Sequence, residues 1–221
     1  MSIFLTESSS AATSDRCGWF PGWRRADSLT FCRPGDVGGF VAFLICLKEP
    51  ERVDRYLALN TGHPFVKPTP AALGTFWRFW YWPLLGAPLL GPWLVRHGVF
   101  QVLLRRWFTT DRAGWSPSED EVFLQSLREP ARALASSKTY RSYLLKDSPR
   151  VLLGQYRSQR LTVPTLMLHG VEDHMLREPF LRGYEPFADE MAVELVPGVG
   201  HFIAEERPQL VADRALAFFA G

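Results

Sequence analysis

The chain has 221 residues, of which 47% are apolar, and its 25 Lys and Arg nearly balance its 23 Asp and Glu for a formal charge of +2. A nucleic-acid-binding domain shows clustered basic charge, and a disordered chain combines low hydrophobicity with high net charge. Neither pattern is present. The composition therefore predicts a globular fold and no nucleic-acid partner.

The first 33 residues differ in composition and periodicity from the rest of the chain. They are rich in Ser and Thr and then in Trp, Pro and Gly, without a helix or strand period, which predicts an irregular lead-in over 1–33. Three cysteines, Cys17, Cys32 and Cys46, cannot all pair, and Cys46 lies in an apolar run typical of a buried free thiol. The N-terminus also lacks the features of a signal peptide, so we expect a cytoplasmic protein.

From Pro34 onward the chain reads as an α/β domain with a long interruption. The predicted elements are a helix over 37–48, a strand over 55–59, only helices over 64–160, a strand over 163–168, a helix over 176–188, a strand over 192–196 and a helix over 208–219. Short strands that are apolar on both faces are typical of a parallel sheet covered by helices. We expect a parallel core, formed by 34–63 and 161–221, with a helical cap inserted over 64–160.

One stretch of the cap is apolar enough to resemble a membrane span. Residues 76–95 carry Arg78 as their only charge. Repeated prolines and glycines would break a helix there, at Pro83, Gly86, Pro88, Gly91 and Pro92. We therefore expect a cover over a pocket, or a surface that touches membranes loosely.

Three polar residues stand just beyond predicted strands or turns. Asp36 lies in Gly35-Asp36-Val37-Gly38-Gly39 before a helix, Asp173 lies in HGVED after a strand, and His201 follows the last strand. Reactive side chains of open parallel sheets collect at the carboxyl ends of the strands. Each residue alone has an ordinary explanation as a helix cap or a turn residue. Their order, nucleophile then acid then histidine, is that of the α/β-hydrolase triad.

Three segments resemble the α/β-hydrolase superfamily, closest to its epoxide hydrolase and haloalkane dehalogenase branch: GDVGGFVAFLICLKEPERVDRYLALNTGHPF, VPTLMLHGVEDHML and GVGHFIAEERPQLV. The glycines of the first segment fit neither a P-loop nor a dinucleotide-binding pattern, so we expect no cofactor, and the Trp, Phe and Leu content of the cap suggests a small apolar substrate such as an epoxide. The resemblance implies a partial α/β-hydrolase fold with a cap. It also implies Asp36 as nucleophile, His201 as general base and Asp173 as the carboxylate that orients it. The Val37 backbone N–H is then an oxyanion donor.

The cap supplies further candidates within this resemblance. Dehalogenases of the branch place a Trp after the nucleophile to hold the halide, and here that residue is Val37, which favours epoxide opening. Tyr140 precedes an Arg as the family's cap tyrosine does, with Tyr81 as the second candidate and Tyr143 as the substitute. For each, a packed aromatic whose hydroxyl reaches water is the competing explanation. His63 is a candidate for lining the pocket or for a turn, and no metal-ligand spacing is present, which predicts no metal site.

The chain departs from the family before the nucleophile. Pro34 replaces the usual Gly, and residues 1–35 contain nothing like the strands and oxyanion loop that precede the family's turn. We therefore expect an N-terminally truncated hydrolase with an exposed sheet edge. Three alternatives stay open: a catalytically inactive remnant, a fragment that binds a partner through its exposed aromatic cap and unpaired sheet edge or self-associates through that edge, and a haloalkane dehalogenase.

Overall fold

A four-stranded parallel sheet organises the part of the chain that the structure describes. The structure, a computed structural model, describes residues 29–34, 36–110, 121, 124–125 and 127–220, with the backbone alone at 29–34, 36, 99 and 100. The strands are β1 (Leu29–Pro34), β2 (Val53–Leu59), β3 (Thr165–Gly170) and β4 (Met191–Val196). They lie in the order β1-β2-β3-β4.

The register brings the carboxyl ends of all four strands to one edge of the sheet. Pro34 at the end of β1 pairs with Leu59 at the end of β2, and Leu59 pairs with Leu168 in β3. Gly170 at the end of β3 pairs with Val196 at the end of β4. The segments that follow the four strands therefore start side by side.

Alternation along β2 divides the core between the two faces of the sheet. Tyr56 belongs to the larger cluster and donates its hydroxyl to the Gly39 carbonyl at 2.8 Å. Leu57 and Leu59 belong to the second cluster, with Val211 and Ala215 of the helix over Pro208–Ala220. All the side chains of β2 from Tyr56 to Leu59 are buried, which is the pattern of a strand covered on both faces.

The first helix, α1 (Asp36–Lys48), follows β1 after one residue and packs on the face that Tyr56 occupies. Its Phe43 ring meets the Tyr56 ring edge to face at 4.9 Å. Cys46 of α1 is fully buried and free, as the sequence predicts, and burial raises the pKa of its thiol to about 12. This thiol therefore stays protonated at neutral pH.

The described residues of 64–160 form helices and tight turns, and none of them is in a strand. The α-helices in this segment whose bounds are described are α2 (Pro70–Leu73), α3 (Trp82–Gly86), α4 (Leu90–His97), α5 (Val99–Phe108), α6 (Pro130–Ser142) and α7 (Ser148–Leu152). A 3₁₀ turn over Phe76–Phe79 precedes α3, another over Gln155–Ser158 follows α7, and a π-helix over Tyr143–Asp147 joins α6 to α7.

The described helices are too short or too polar to cross a membrane.

In α3 and α4, Gly86 and Gly91 allow close packing against α6, because an added Cβ would come within 3.3 Å of Arg141 and 2.4 Å of Ser137. The division of the chain at residues 63 and 160 stays a prediction.

Two predicted segments differ in the structure. Residues 29–33, expected in the irregular lead-in, belong to β1, while residues 1–28 lie outside the described part. The helix expected over 176–188 is instead two 3₁₀ turns, Glu178–Phe180 and Glu185–Phe187. Gly183 has a left-handed φ of 85° and Pro186 has no backbone N–H, so a continuous helix cannot form. Two helices, α8 (Ile203–Glu206) and α9 (Pro208–Ala220), close the chain.

Candidate active site

Polar residues follow the strands at the shared carboxyl edge. Asp36 begins α1 after β1, Asn60 directly follows β2, Asp173 lies three residues after β3, and His201 lies five residues after β4. Of these, Asn60, Asp173 and His201 are joined by described hydrogen bonds. The sequence predicted two of the three.

The centre of the site is a buried pair formed by His201 and Asp173. Nδ1 of His201 donates to Oδ2 of Asp173 at 2.8 Å. The other carboxylate oxygen accepts the backbone N–H groups of Met175 at 2.7 Å and Leu176 at 3.3 Å. Because Nδ1 carries the proton that is donated, Nε2 is the ring nitrogen that can accept a proton from a reactant. This is the arrangement of a general base and its orienting carboxylate.

The surroundings of Asp173 keep it ionised. Burial alone would raise the pKa of this carboxyl, but the charge and hydrogen bond of His201, with smaller contributions from His169 and Asn60, outweigh burial and lower the pKa to about 2. Asp173 therefore carries its negative charge throughout the physiological range. It can stabilise a positive charge on His201 when that ring takes up a proton.

Asn60 is a member of the site that the sequence analysis missed. Its Nδ2 donates to Oδ2 of Asp173 and to the Gly200 carbonyl, both at 2.9 Å, and its Oδ1 accepts the Gly170 N–H at 3.2 Å. Its φ of 40° is left-handed, a conformation that Asn tolerates better than most residues. Asn60 thus ties the ends of β2 and β3 to the histidine loop. The signal was a polar side chain directly after an apolar strand.

His169 lies beneath the pair and was also missed. Its Nε2 donates to the Leu176 carbonyl at 3.0 Å and lies 3.8 Å from Oδ2 of Asp173. Burial lowers the pKa of this ring, although the charge of Asp173 opposes the shift. Nδ1 of His169 is buried and has no hydrogen-bond partner among the described residues. His169 is therefore neutral at neutral pH and holds the Asp173 loop through its hydrogen bond to the Leu176 carbonyl.

Glu206 holds the loop that carries His201. Its carboxylate accepts the N–H groups of Gly200 at 3.1 Å and Phe202 at 3.3 Å, and also that of Thr110 at 3.1 Å. The His201 N–H donates to the Phe108 carbonyl at 2.9 Å. Since Phe108 and Thr110 lie at the end of α5, the cap segment is hydrogen-bonded directly to the histidine loop.

The segment of the predicted nucleophile lies at the same edge. Val37, whose backbone N–H is the predicted oxyanion donor, is in the first turn of α1, where N–H groups have no partner within the helix. An added Cβ on Gly39 would come within 2.6 Å of Thr61, so α1 starts in close contact with the loop that Asn60 begins. The side chain of Asp36 lies outside the described part, and its role stays a prediction.

The predicted cap tyrosines occupy three different environments. Tyr81 is buried, donates to Sδ of Met175 at 3.3 Å, and packs near Phe108, whose ring lies 6.1 Å from the His201 ring. Tyr140 is half-buried against the main core. Tyr143 begins the π-helix and meets Phe40 edge to face at 4.9 Å. Tyr81 thus contacts the loop that carries Asp173, and Tyr143 contacts α1 near its start.

An apolar cavity of about 40 Å³ lies between α1 and the cap. Its wall includes Phe40 (one turn after Asp36), Thr61, His63, Trp82, Tyr143 and Phe180. His63 also makes a turn: Nδ1 accepts the Phe65 N–H, and Nε2 donates to the Arg182 carbonyl, both at 3.1 Å. Burial lowers its pKa to about 4, so the ring is neutral and both nitrogens are occupied. His63 thus makes a turn and also borders this cavity, and its contact with a substrate stays a prediction.

No cluster of potential metal ligands is found in the described ranges.

Four features described above are those of the class of α/β hydrolytic enzymes. They are a parallel sheet, a helix that starts directly after one strand, an acid and histidine pair beyond two other strands, and a helical segment inserted between β2 and β3. The chain belongs to the alpha/beta hydrolase family, whose model matches residues 36–214. It is 28% identical over 195 residues to a soluble epoxide hydrolase of Corynebacterium sp. (strain C12), which covers 84% of this chain and 65% of the relative.

Solved structures agree with this assignment. Cfl2 of Burkholderia cenocepacia is 25% identical with a TM-score of 0.65, covering 84% of this chain and 63% of that one. The ligand-free epoxide hydrolase CorEH, 22% identical with a TM-score of 0.65, shares the fold over 85% of this chain and 66% of its own. The predicted superfamily and fold class are confirmed. The chain spans about 65% of the length of the soluble epoxide hydrolase that it matches.

Proposed function

We propose that the protein hydrolyses epoxides of small apolar compounds to diols, with Asp36 as nucleophile. The observation that carries the proposal is the buried 2.8 Å pair of His201 and Asp173, at the edge of the sheet where the Asp36 segment begins. Similarity to a soluble epoxide hydrolase supports the choice of substrate class.

The reaction has two steps. The Asp36 carboxylate attacks an epoxide carbon, the carbon–oxygen bond opens, and a cap tyrosine hydroxyl donates its proton to the leaving oxygen, which gives an alkyl ester on Asp36. Nε2 of His201 then takes a proton from water, and the hydroxide attacks the ester carbonyl. The Val37 N–H stabilises the oxyanion of the tetrahedral intermediate. Its collapse breaks the bond between the ester carbonyl carbon and the substrate oxygen, and the proton of the added hydroxyl passes to that leaving oxygen. The diol is released, Asp36 returns as a carboxylate, and the proton on His201 returns to the tyrosinate.

Several features support the tyrosines and the apolar substrate. Tyr81 and Tyr143 lie in aromatic surroundings beside the histidine loop and the cavity, and Tyr140 lies one helical turn before Tyr143. The side chains that α1 and the cap turn towards each other around this small cavity are mostly aromatic and aliphatic, which favours apolar substrates over charged ones. The buried free thiol of Cys46 is consistent with the cytoplasmic location that we propose.

The first prediction tests the covalent intermediate. Incubation of the purified chain with aryl and aliphatic epoxides is expected to yield diols, and Asp36→Ala to abolish the reaction. His201→Gln removes the base of the second step only, so mass spectrometry should find the substrate's mass added to the peptide that contains Asp36. Tyr140→Phe, Tyr81→Phe and Tyr143→Phe, compared side by side, identify the proton donor by the largest fall in kcat. Diol formation that survives Asp36→Ala contradicts the proposal.

A self-associating fragment is the second candidate function. In the described residues, β1 pairs with β2 on one side only, which leaves its other edge as a template for a further strand. Light scattering of the purified chain checks this alternative: a monomer with a cooperative melt argues against it, whereas an obligate oligomer without diol formation supports it. Halide release from a haloalkane panel tests the dehalogenase alternative, which the Val37 position disfavours.

A further inference from the structure

The cap exposes an aromatic and basic surface that the proposed reaction does not use. Most of the large apolar side chains exposed in the described part of the chain lie between residues 73 and 107. We use the name cap aromatic face for six of them, which lie within one stretch of about thirty residues of the cap: Trp77, Trp80, Leu89, Leu90, Trp93 and Trp107. The four tryptophans are each roughly half exposed. Exposed apolar side chains concentrated in one segment of the chain favour a region that contacts something other than water.

The side chains of α4 show how the face is oriented away from the protein. Gly91 and Val95 are buried, and the Gly91 side packs on Ser137 of α6. On the opposite side of the same helix, Leu90, Trp93 and His97 are exposed, and the Trp93 and His97 rings stack at 4.4 Å. The helix therefore turns its tryptophan outward while its small residues face the cap interior.

Charge distinguishes this region from the rest of the sequence. Residues 55–110 contain six Lys and Arg and no Asp or Glu, although the whole chain is nearly balanced. Arg96 and Arg106 are exposed beside the aromatic residues, and the Arg78 guanidinium lies 5.1 Å above the Trp77 ring. The segment that carries the face thus combines exposed aromatic side chains with basic residues and has no acidic residue of its own.

This combination complements one surface in particular. Trp residues concentrate at the boundary between lipid headgroups and acyl chains, and Lys and Arg are attracted to anionic headgroups. The helices of the face are too short to span a bilayer, so they would lie in its interface.

We propose that the cap aromatic face docks the protein on anionic lipid bilayers. Leu89 and Leu90 enter the acyl boundary, the tryptophans lie among the headgroups, and Arg96 and Arg106 contact lipid phosphates. Trp107 stacks on Phe108, whose carbonyl accepts the His201 N–H, so the docked face adjoins the histidine loop. An apolar substrate dissolved in the bilayer would then reach the site from the lipid side.

Vesicle co-sedimentation of the full chain tests the proposal without any activity measurement. Binding is expected to vesicles of phosphatidylcholine with phosphatidylserine, and to be weaker on phosphatidylcholine alone. Leu89 is 89% exposed and Leu153, outside the face, is 75% exposed, so Leu89→Ser and Leu153→Ser form a matched pair that spares the core. Leu89→Ser should weaken binding about tenfold, and Leu153→Ser should leave it unchanged.

The charge contribution has its own pair of variants. Arg96→Gln should weaken binding to the phosphatidylserine vesicles about fivefold and leave binding to phosphatidylcholine unchanged, whereas Lys138→Gln on α6 should have no effect on either. Three results would overturn the proposal: no binding of the original chain to either vesicle, equal losses for Leu89→Ser and Leu153→Ser, or an oligomer in light scattering that Leu89→Ser dissociates. The last result would instead identify a contact between copies.

Discussion

At the scale of single residues, the site depends on a side chain that has no charge. Asn60 donates to both the Asp173 carboxylate and the Gly200 carbonyl, so one amide group fixes the acid and the histidine loop together. An amide is the side chain of this size that can donate to two acceptors and accept a backbone N–H at once. The left-handed φ adds a backbone reason for Asn at this position.

The second prediction compares two substitutions of this residue. Asn60→Asp keeps the shape but brings a second carboxylate to about 2.9 Å from Asp173, whereas Asn60→Gly keeps the left-handed backbone and removes the side chain. We expect Asn60→Gly to cost about 1–2 kcal/mol of unfolding free energy, and Asn60→Asp to cost more at neutral pH because the added charge has no cation partner. Urea unfolding at pH 7 measures both. Equal stabilities of the two variants would refute the proposed role of the donor.

The sequence identified Asp173 and His201 because both are charged or titratable and both follow apolar strands. Asn60 and His169 escaped it, since an amide after a strand and a histidine inside one are each common without any role in a site. What distinguishes them is the partner that folding brings from more than 100 residues away, or, for His169, its burial under Asp173. Such contacts have no local signature.

At the scale of elements, the ends of β3 and of the histidine loop are in direct backbone contact. An added Cβ on Gly170 would lie 2.3 Å from the Gly200 carbonyl oxygen and 2.4 Å from that of Val199. Backbone cannot move away as a flexible side chain can. The His201 loop can therefore reach Asp173 only because β3 ends in glycine.

The third prediction follows from this contact. Gly170→Ala should push the histidine loop away, lower kcat and cost about 1–3 kcal/mol of stability. Gly62→Ala is the matched control, because the Cβ there would meet its neighbours at 3.8 Å or more, and its effect should stay within about 0.5 kcal/mol. Thermal melts and diol formation measured on both variants check the expectation. A harmless Gly170→Ala would show that the loop can relax.

The elements were predicted well where one periodicity dominates. The apolar stretches of α1, β2, β4 and α9 each fit only one kind of element, and the bounds of these elements lie within about two residues of the prediction. The prediction of a helix over 176–188 was wrong because the apolar spacing of this segment suits a helix, whereas the left-handed φ of Gly183 and the missing N–H of Pro186 interrupt helical hydrogen bonding. Strand β1 was missed because its pairing with β2, and not its own composition, makes it a strand.

At the scale of the whole molecule, buried neutral histidines make stability depend on pH. His63 has a pKa of about 4 in the folded protein against 6.5 for an unperturbed ring. Between these values the unfolded chain takes up a proton that the folded chain refuses, so stability is full above pH 6.5 and falls as the pH drops towards 4. Asp173, with a pKa of about 2 against 3.8, adds a loss only at still lower pH.

The fourth prediction uses this difference. Between pH 6.5 and 4 the original chain should lose about 3 kcal/mol through His63, and His63→Gln should remove that part of the slope. His97→Gln, which alters an exposed histidine, serves as the control and should keep the slope of the original chain. Unfolding free energies from urea titrations at several pH values provide the measurement. A slope that His63→Gln leaves intact would assign the loss to other groups.

Cys46 has a consequence for a protein that is proposed to handle epoxides. Epoxides are alkylating agents, and their usual targets in proteins are thiolates. Cys46 is fully buried in α1, ten residues after the proposed nucleophile, and its raised pKa keeps the sulfur protonated. The helix that begins at the proposed nucleophile thus shields its own sulfur from alkylation by an epoxide.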